Sequence, residues 1–180
     1  MVDPYKPAEG TFPRSLTPHI ALYTRGEENS TPLSGTPYIL ATPGECETKG
    51  VLLTAVYGDG KDHLFFRIDA EGLSMAHLGR TKKQLTESDL ETIGGVDVLF
   101  LPIGGADCYD VEEAVKVVNA IEPHIVIPMA FKSDNDPDAK GPEAFVREMG
   151  GTVGKPEKKV ILKKKDLPQE ETTVIVLEKE

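Results

Sequence analysis

The sequence lacks the features of membrane proteins, secreted disulfide-rich proteins and nucleic-acid binders. No apolar run approaches the ~20 residues that cross a bilayer, and the N-terminal "MVDPYKPAEG" has neither region of a signal peptide. The two cysteines, Cys46 and Cys108, cannot build a disulfide framework, which favours a reducing cytoplasm. The formal net charge of −10 opposes the basic surface that a phosphate backbone requires. We therefore expect a cytoplasmic protein with no nucleic-acid or membrane partner.

What the sequence does contain is a series of short apolar segments within a length that fits one domain, residues 1–180. Two of them, "VDVLFLPIGG" and "HIVIPMAF", are almost continuously apolar, which is typical of strands covered on both faces. Turn-like "DGKD" and "DAEG" make 51–78 an antiparallel meander. The predicted strands are 20–24, 37–42, 51–58, 63–69, 73–78, 96–102 and 124–130.

Helix signals separate the later strands. Thr86 is a predicted N-cap, Asp110 and Glu113 form a predicted capping box, and Pro142 opens a third helix. The tail, "KKVILKKKDLPQEETTVIVLEKE", predicts two strands around a turn, with solvated lysines at a sheet edge. A meander followed by alternating strands and helices predicts an α/β layered fold.

Five segments, taken in order, resemble the metallo-β-lactamase fold, and most closely its small cytosolic Zn-dependent hydrolase group. They are "VDPYKPAEGTFPRSLTPHIALYT", "ATPGECETKGV", "AHLGRT", "VDVLFLPIGGADCYDVEEAVKVVNAIEPHIVIPMAF" and "KKDLPQEETTVIVLE". The resemblance covers nearly the whole chain. It implies an α/β metallo-β-lactamase-like αββα sandwich of mixed sheets flanked by helices, without the usual first one or two strands.

The resemblance also implies a dinuclear metal centre, built in the family from T-H-x-H-x-D-H, G-D-T and P-M-H motifs. In this sequence the motif threonine is retained as Thr24, but the ligand positions have changed. Arginine does not act as a ligand and alanine has no ligand atom. We therefore expect no metal and no cofactor, and keep the former metal-site positions as candidate binding residues. With the neighbouring histidine, they are Arg25, Glu27, Asn29, Ser30, His77, Arg80 and Ala130.

Three functions follow as hypotheses. The first is a non-catalytic structural or interaction subunit, whose missing first strands leave a sheet edge open to a protein partner or a homo-oligomer. The second is a metal-dependent (Zn) hydrolase with a reduced or displaced metal site. The third is an anion-binding module in which Arg25 and Arg80, helped by Lys82 and Lys83, receive a phosphate or carboxylate.

Charge compensation is a related hypothesis. Acidic neighbours of a lost metal pair would be left uncompensated. Arg25 and Arg80 would then supply the missing charge by pairing with Glu27, Glu28 or Asp107. The alternative is that both arginines have drifted on solvent-facing loops.

The other chemically active side chains have simpler interpretations. We expect a packing role for His77 and surface or structural roles for the other histidines. The Asp134–Asp138 loop resembles a calcium loop only faintly and is expected to be a solvated acidic loop. Cys108 follows a strand but has no base nearby in the sequence, and Cys46 is expected to be a buried small residue. The other histidines are His19, His63 and His124.

Overall fold

The computed structural model describes residues 1–6, 16–28, 30–134, 136–151 and 157–178. Two strands, β1 and β2, pair in parallel as a small sheet, and β3 to β9 form a larger sheet in chain order. Every strand predicted before the tail is present. The strands are β1 Ile20–Leu22, β2 Tyr38–Leu40, β3 Gly44–Thr48, β4 Val51–Tyr57, β5 Leu64–Ala70, β6 Leu73–His77, β7 Val98–Pro102, β8 Ile125–Met129 and β9 Thr173–Val174.

The large sheet changes character halfway. Strands β3 to β6 are antiparallel neighbours joined by tight turns, whereas β6 to β9 are all parallel. Parallel neighbours need crossover connections, and helices supply the two between β6, β7 and β8. The helices are α1 Glu87–Ile93, α2 Val111–Ile121 and α3 Glu143–Glu148.

The helix caps follow the sequence prediction. Thr86 caps α1 and forms a capping box with Asp89, while Asp110 and Glu113 form the same arrangement on α2. Each box satisfies backbone N–H groups that the first helical turn leaves without partners. Pro142 lies at the N-cap of α3 without a side-chain cap bond.

Apolar side chains cover the large sheet on both faces. On one face, residues of α1, α2 and α3 pack with Phe65, Leu99 and Leu101 in the largest apolar cluster. On the other face, Leu22 and Leu40 of the small sheet pack on β4 and β5. Mixed sheets and helices in layers confirm the predicted α/β class.

The tail departs from the prediction of two strands. The structure has a single short strand there, β9, and a 3-10 turn at Lys164–Asp166. Val160 and Leu162 pack beneath β7 and β8 without joining a ladder, because β9 already takes the free edge of β8. The lysines are therefore not arranged along an edge strand.

The other end of the large sheet is formed by β3, which has no neighbour on its outer side among the described strands. Leu52 and Tyr57 of the adjacent β4 are exposed. A protein or homo-oligomer partner at a sheet edge stays a prediction. No helix in the described ranges is long and apolar enough to span a bilayer.

Candidate functional site

The candidate site lies where β6, β7 and β8 end. Because these strands are parallel, their following loops meet at one edge of the sheet, where α/β folds bind ligands. We call this region the carboxyl edge. It comprises residues 78–83, 103–110 and 130–140, residue 135 excepted.

Arg80 joins all three loops of the carboxyl edge. Its Nε and Nη2 each lie 3.0 Å from a carboxylate oxygen of Asp107, a bidentate pair, and its Nη1 lies 2.7 Å from Asp136 Oδ1. The Arg80 guanidinium lowers the pKa of Asp107, and Asp107 in turn raises the pKa of Arg80. The predicted pairing of Arg80 with Asp107 is therefore confirmed. We call Arg80, Asp107 and Asp136 the arginine clamp.

Arg25 behaves differently from Arg80. Its Cζ lies 4.9 Å from the centroid of the Tyr5 ring, a cation–π contact, and its backbone N–H donates to Tyr5 Oη. Glu27 and Glu28 are exposed, and among the ion pairs of the described residues none involves Arg25. The predicted pairing of Arg25 with these carboxylates is wrong, because Tyr5 occupies the space beside its guanidinium.

A cluster of buried polar residues lies beneath the carboxyl edge. Asp3 accepts from the Thr24 backbone N–H and from Thr24 Oγ1, both at 2.7 Å. His77 is buried and its Nδ1 accepts from the Gly79 N–H at 3.1 Å. Burial lowers the pKa of His77 to about 4, although Asp3 opposes this shift. We call Asp3, Thr24, His63 and His77 the polar cluster.

His63 is the unusual member of the polar cluster. Its side chain packs edge-on against Phe65, and neither ring nitrogen has a hydrogen-bond partner although both are buried. Burial lowers the pKa of His63, so its imidazole is neutral at pH 7. A neutral imidazole with free nitrogens can accept a proton or hold a water molecule.

The remaining predicted positions do not gather into one site. The Ser30 backbone N–H donates to the Glu27 carbonyl in a turn, and Ala130 follows β8 with a positive φ of 56°. Asn29 lies outside the described residues. A binding role for the seven candidate positions stays a prediction.

The basic side chains proposed to bind an anion already have partners. Lys82 Nζ donates to the Ala106 carbonyl at 3.1 Å, and Lys83 pairs with Asp89 at 2.9 Å. With Arg80 and Arg25 engaged as described above, an anion would have to displace an existing contact of each residue. The geometry therefore does not favour the anion-binding module.

The residues of the carboxyl edge do not fit a dinuclear metal centre. Within the described ranges, no three His, Cys, Asp or Glu side chains lie close enough together to hold an ion. The Arg80 guanidinium fills the space between the two aspartates of the clamp, and Ala130 has no donor atom. Cys108 is buried, which raises its pKa to about 12, so it is neither a ready ligand nor a nucleophile.

Next to this edge, the loop after β1 lines an open cavity. The cavity has a volume of about 480 Å³ and carries both charges, from Arg25, Glu27, Glu28, Lys61 and Asp62. It is large enough for a small organic molecule.

Two non-glycine residues of the carboxyl edge have left-handed backbone angles outside any hairpin turn or helix cap. Ala106 and Ala130 both have left-handed φ angles, 57° and 56°, which are unfavourable for residues with a β-carbon. Gly104, with φ 114°, lies so close to Ala130 that a β-carbon would come 2.7 Å from its carbonyl oxygen. Strained backbone of this kind clusters at functional sites.

The sequence interpretation missed two residues. The sequence predicts a solvated loop at Asp136, but Asp136 is the second carboxylate of the arginine clamp, 56 positions from Arg80. The sequence predicts a surface or structural role for His63; the side chain is not at the surface but buried, and its ring nitrogens have no partner. No local pattern marks either residue, although the alternating aspartates did draw attention to the correct loop.

Comparison with known proteins places the chain in a wider context. Residues 1–130 match the beta-lactamase superfamily domain. A UPF0173 metal-dependent hydrolase of Pyrococcus abyssi is 30% identical over 155 residues, which are 80% of this chain and 66% of that protein. A protein of the same description from Staphylothermus marinus is 35% identical over 96 residues, 53% of this chain and 41% of its own. Several relatives are matched over only about a third to a half of their length.

Among solved structures, a metallo-beta-lactamase superfamily protein from Thermotoga maritima, provisionally described as a Zn-dependent hydrolase, gives a TM-score of 0.79 at 22% identity. The match covers 98% of this chain and 88% of that one. At this identity the match shows the fold. The relatives' descriptions overturn our first functional hypothesis: a non-catalytic structural or interaction subunit is wrong, and its alternative, a metal-dependent hydrolase with a reduced or displaced site, is favoured.

Proposed function

We propose, from the premise that this chain belongs to the beta-lactamase superfamily domain family, that it is a hydrolase with a reduced metal site. The observation that carries the proposal is the similarity to the Pyrococcus abyssi metal-dependent hydrolase across 80% of this chain. The strained backbone at the carboxyl edge and the adjacent cavity support the location of the site.

The site is called reduced because the family's two-metal arrangement does not fit the side chains present. The described residues offer fewer than three metal-binding side chains at any one point, whereas a catalytic zinc site ordinarily uses three protein ligands. We therefore derive the chemistry from the chain's own groups.

His63 is the described residue best suited to activate water. It is neutral at neutral pH, its nitrogens have no partner, and it lies beside Thr24, which lines the cavity. A general base of this kind accelerates a reaction by roughly 10²–10⁴-fold. In this proposal His63 takes a proton from a water molecule as the water oxygen attacks the bond held in the cavity. The protonated imidazole then gives that proton to the leaving group as the bond breaks.

A panel of chromogenic substrates tests the proposal. The purified chain would be assayed on p-nitrophenyl acetate, p-nitrophenyl phosphate, bis(p-nitrophenyl) phosphate and a chromogenic β-lactam. Each assay would be run with EDTA and with Zn²⁺ or Mn²⁺. We expect turnover above buffer on at least one bond class, and a loss of about 10²-fold in kcat in His63→Gln.

Two controls accompany this assay. His124→Gln removes a histidine remote from the polar cluster and should leave kcat unchanged, and His63→Phe fills the same space beside Phe65 while removing both nitrogens. Absence of turnover in all four bond classes under every metal condition would overturn the proposal. Full activity in a folded His63→Phe would overturn the role of His63.

A further inference from the structure

We propose that the Arg80 guanidinium is a built-in cation that holds the three loops of the carboxyl edge together, in the position that a divalent ion would otherwise fill. The inference concerns the architecture of this edge. It does not depend on hydrolysis and is tested by a different measurement.

The contacts of the arginine clamp are the first observation that supports the inference. Arg80 follows β6, Asp107 follows β7 and Asp136 follows β8, so one guanidinium connects the ends of three neighbouring strands. A planar guanidinium matches the two oxygens of Asp107 and still has an N–H directed at Asp136. A metal ion bridging carboxylates from separate loops connects a chain in the same way.

The charge and exposure of the three clamp residues are the second observation that supports the inference. Asp136 and Arg80 are largely shielded from water, with side chains 23% and 28% exposed, whereas Asp107 is 57% exposed. Without Arg80, two carboxylates would face each other across a partly dry space, which is unfavourable. Arg80 lowers their combined charge from −2 to −1 and lowers the pKa of Asp107.

The backbone around the arginine clamp is the third observation that supports the inference. Lys140 N–H donates to the Gly104 carbonyl at 3.1 Å and Lys82 Nζ donates to the Ala106 carbonyl, so the loops are also joined beside the clamp. Ala106 and Ala130 keep unfavourable left-handed conformations within these loops. Strain of this kind persists only where surrounding contacts impose it, and the arginine clamp supplies the ion pairs described between these loops.

Exchanging the cation tests the inference. Arg80→Asp would place three carboxylates, from positions 80, 107 and 136, around one point, which is an oxygen-ligand set for a divalent ion. Thermal midpoints would be measured in EDTA and in excess Mn²⁺ or Ca²⁺, and bound metal would be counted after dialysis. We expect the wild-type chain to show the same midpoint in both conditions. We expect Arg80→Asp to lose about 4–8 °C in EDTA and to recover most of this loss with metal.

Two variants serve as controls. Arg80→Ala removes the charge without adding a ligand, and should lose a few degrees that metal does not restore. Arg67→Ala breaks another Arg–Asp pair of similar exposure on β5, and its midpoint should not respond to metal. Arg80→Asn supplies a neutral oxygen without added repulsion, and would be used if Arg80→Asp did not fold in EDTA.

Several results would overturn the inference. They are stoichiometric metal on the dialysed wild-type chain, a wild-type midpoint that falls in EDTA, an Arg80→Ala midpoint equal to the wild type, or neither Arg80→Asp nor Arg80→Asn responding to metal. Because hydrolysis is not measured, these outcomes leave the catalytic proposal to be judged by its own assay.

Discussion

A charged side chain lies at each end of the group of parallel strands β6, β7 and β8. It is a cation at one end and an anion at the other. At the carboxyl edge a cation, Arg80, is surrounded by carboxylates. At the opposite end, which we call the amino edge, a buried anion is surrounded by donors. Asp97 accepts from the Ser74 backbone N–H at 2.9 Å and from Lys164 Nζ at 2.6 Å. Burial opposes ionisation of Asp97, but Lys164 and Ser74 outweigh it and lower its pKa.

We interpret the amino edge as a structural contact and the carboxyl edge as the candidate functional site. The amino edge joins β6, β7 and the C-terminal segment through Asp97, as expected of a structural contact. Its left-handed residues, Glu71 and Glu122, lie in a hairpin turn and at the C-cap of α2, where such angles are common. The carboxyl edge has left-handed residues at Ala106 and Ala130 and an unpartnered histidine beneath it. A cavity lies beside both edges and does not distinguish them. Proteins place strained and incompletely satisfied groups where they act on ligands.

The largest expected effect tests whether the amino edge is indeed the structural one. Asp97→Ala should lower the free energy of unfolding by about 2–3 kcal/mol, because the Ser74 N–H and hydroxyl lose their acceptor. Lys164 is 59% exposed, so its charge returns to water when its partner is removed. Urea unfolding measures this loss. Asp69→Ala removes a carboxylate that is 31% exposed, against 5% for Asp97, and the loss of its ion pair with Arg67 should cost less than about 1 kcal/mol. Equal losses in the two variants would contradict this assignment.

Acid should lower the free energy of unfolding through His77, which lies beneath the carboxyl edge. The pKa of His77 is about 4 in the folded chain and near 6.5 when unfolded, so between these values only the unfolded state takes up this proton. The contribution of His77 is therefore complete above pH 6.5. It declines as the pH falls towards 4, by up to about 3 kcal/mol. Urea unfolding between pH 7.5 and 4.5 measures the slope.

The matched variant for this acid effect is His77→Asn, which retains an acceptor for the Gly79 N–H but does not titrate. It should have a shallower pH dependence than the wild type. His19→Asn removes an exposed histidine and should leave the slope unchanged. An unchanged slope in His77→Asn would assign the acid sensitivity to another group.

The smallest expected effect tests whether the backbone at Ala130 is strained. Ala130→Gly should raise the free energy of unfolding by about 0.5–1 kcal/mol, because glycine adopts the left-handed φ of 56° without a β-carbon clash. Ala120→Gly, on the exposed side of α2, should instead lower it by about 1 kcal/mol. Differential scanning calorimetry resolves the sign. Destabilisation of both variants would mean that residue 130 is not strained.

Much of the fold could be predicted because local rules determine it. The capping boxes at Thr86 and Asp110 depend on residues three positions apart, and the strands from β4 to β6 on short turns. The exception in that region is β3, whose sequence "GECET" is mostly polar and exposed. It forms a strand by pairing with β4 along its whole length, which no property of the segment itself reveals.

The candidate site was less predictable because it depends on distant contacts. The pairing of Arg80 with Asp107 could be predicted because both follow neighbouring strands. The contacts of Arg80 with Asp136 and of Asp97 with Lys164 join residues 56 and 67 positions apart, and loop geometry alone decides them. His63 is buried because Gly58 and Gly79 leave room for its ring, which the sequence around His63 does not indicate.

Gly79, in the carboxyl edge, leaves no room for another residue type at its position. A β-carbon there would lie 2.8 Å from Thr24 Oγ1 and 2.8 Å from His63 Cε1, at a φ of +63°. The neighbouring position 80 has no such restriction, since its long side chain reaches into partly exposed space. Selection for folding alone would therefore retain glycine at 79, whereas another side chain can fit at 80 if the stability given by the arginine clamp is lost or replaced. At the carboxyl edge, the side chains are therefore stronger evidence about chemistry than the backbone that carries them.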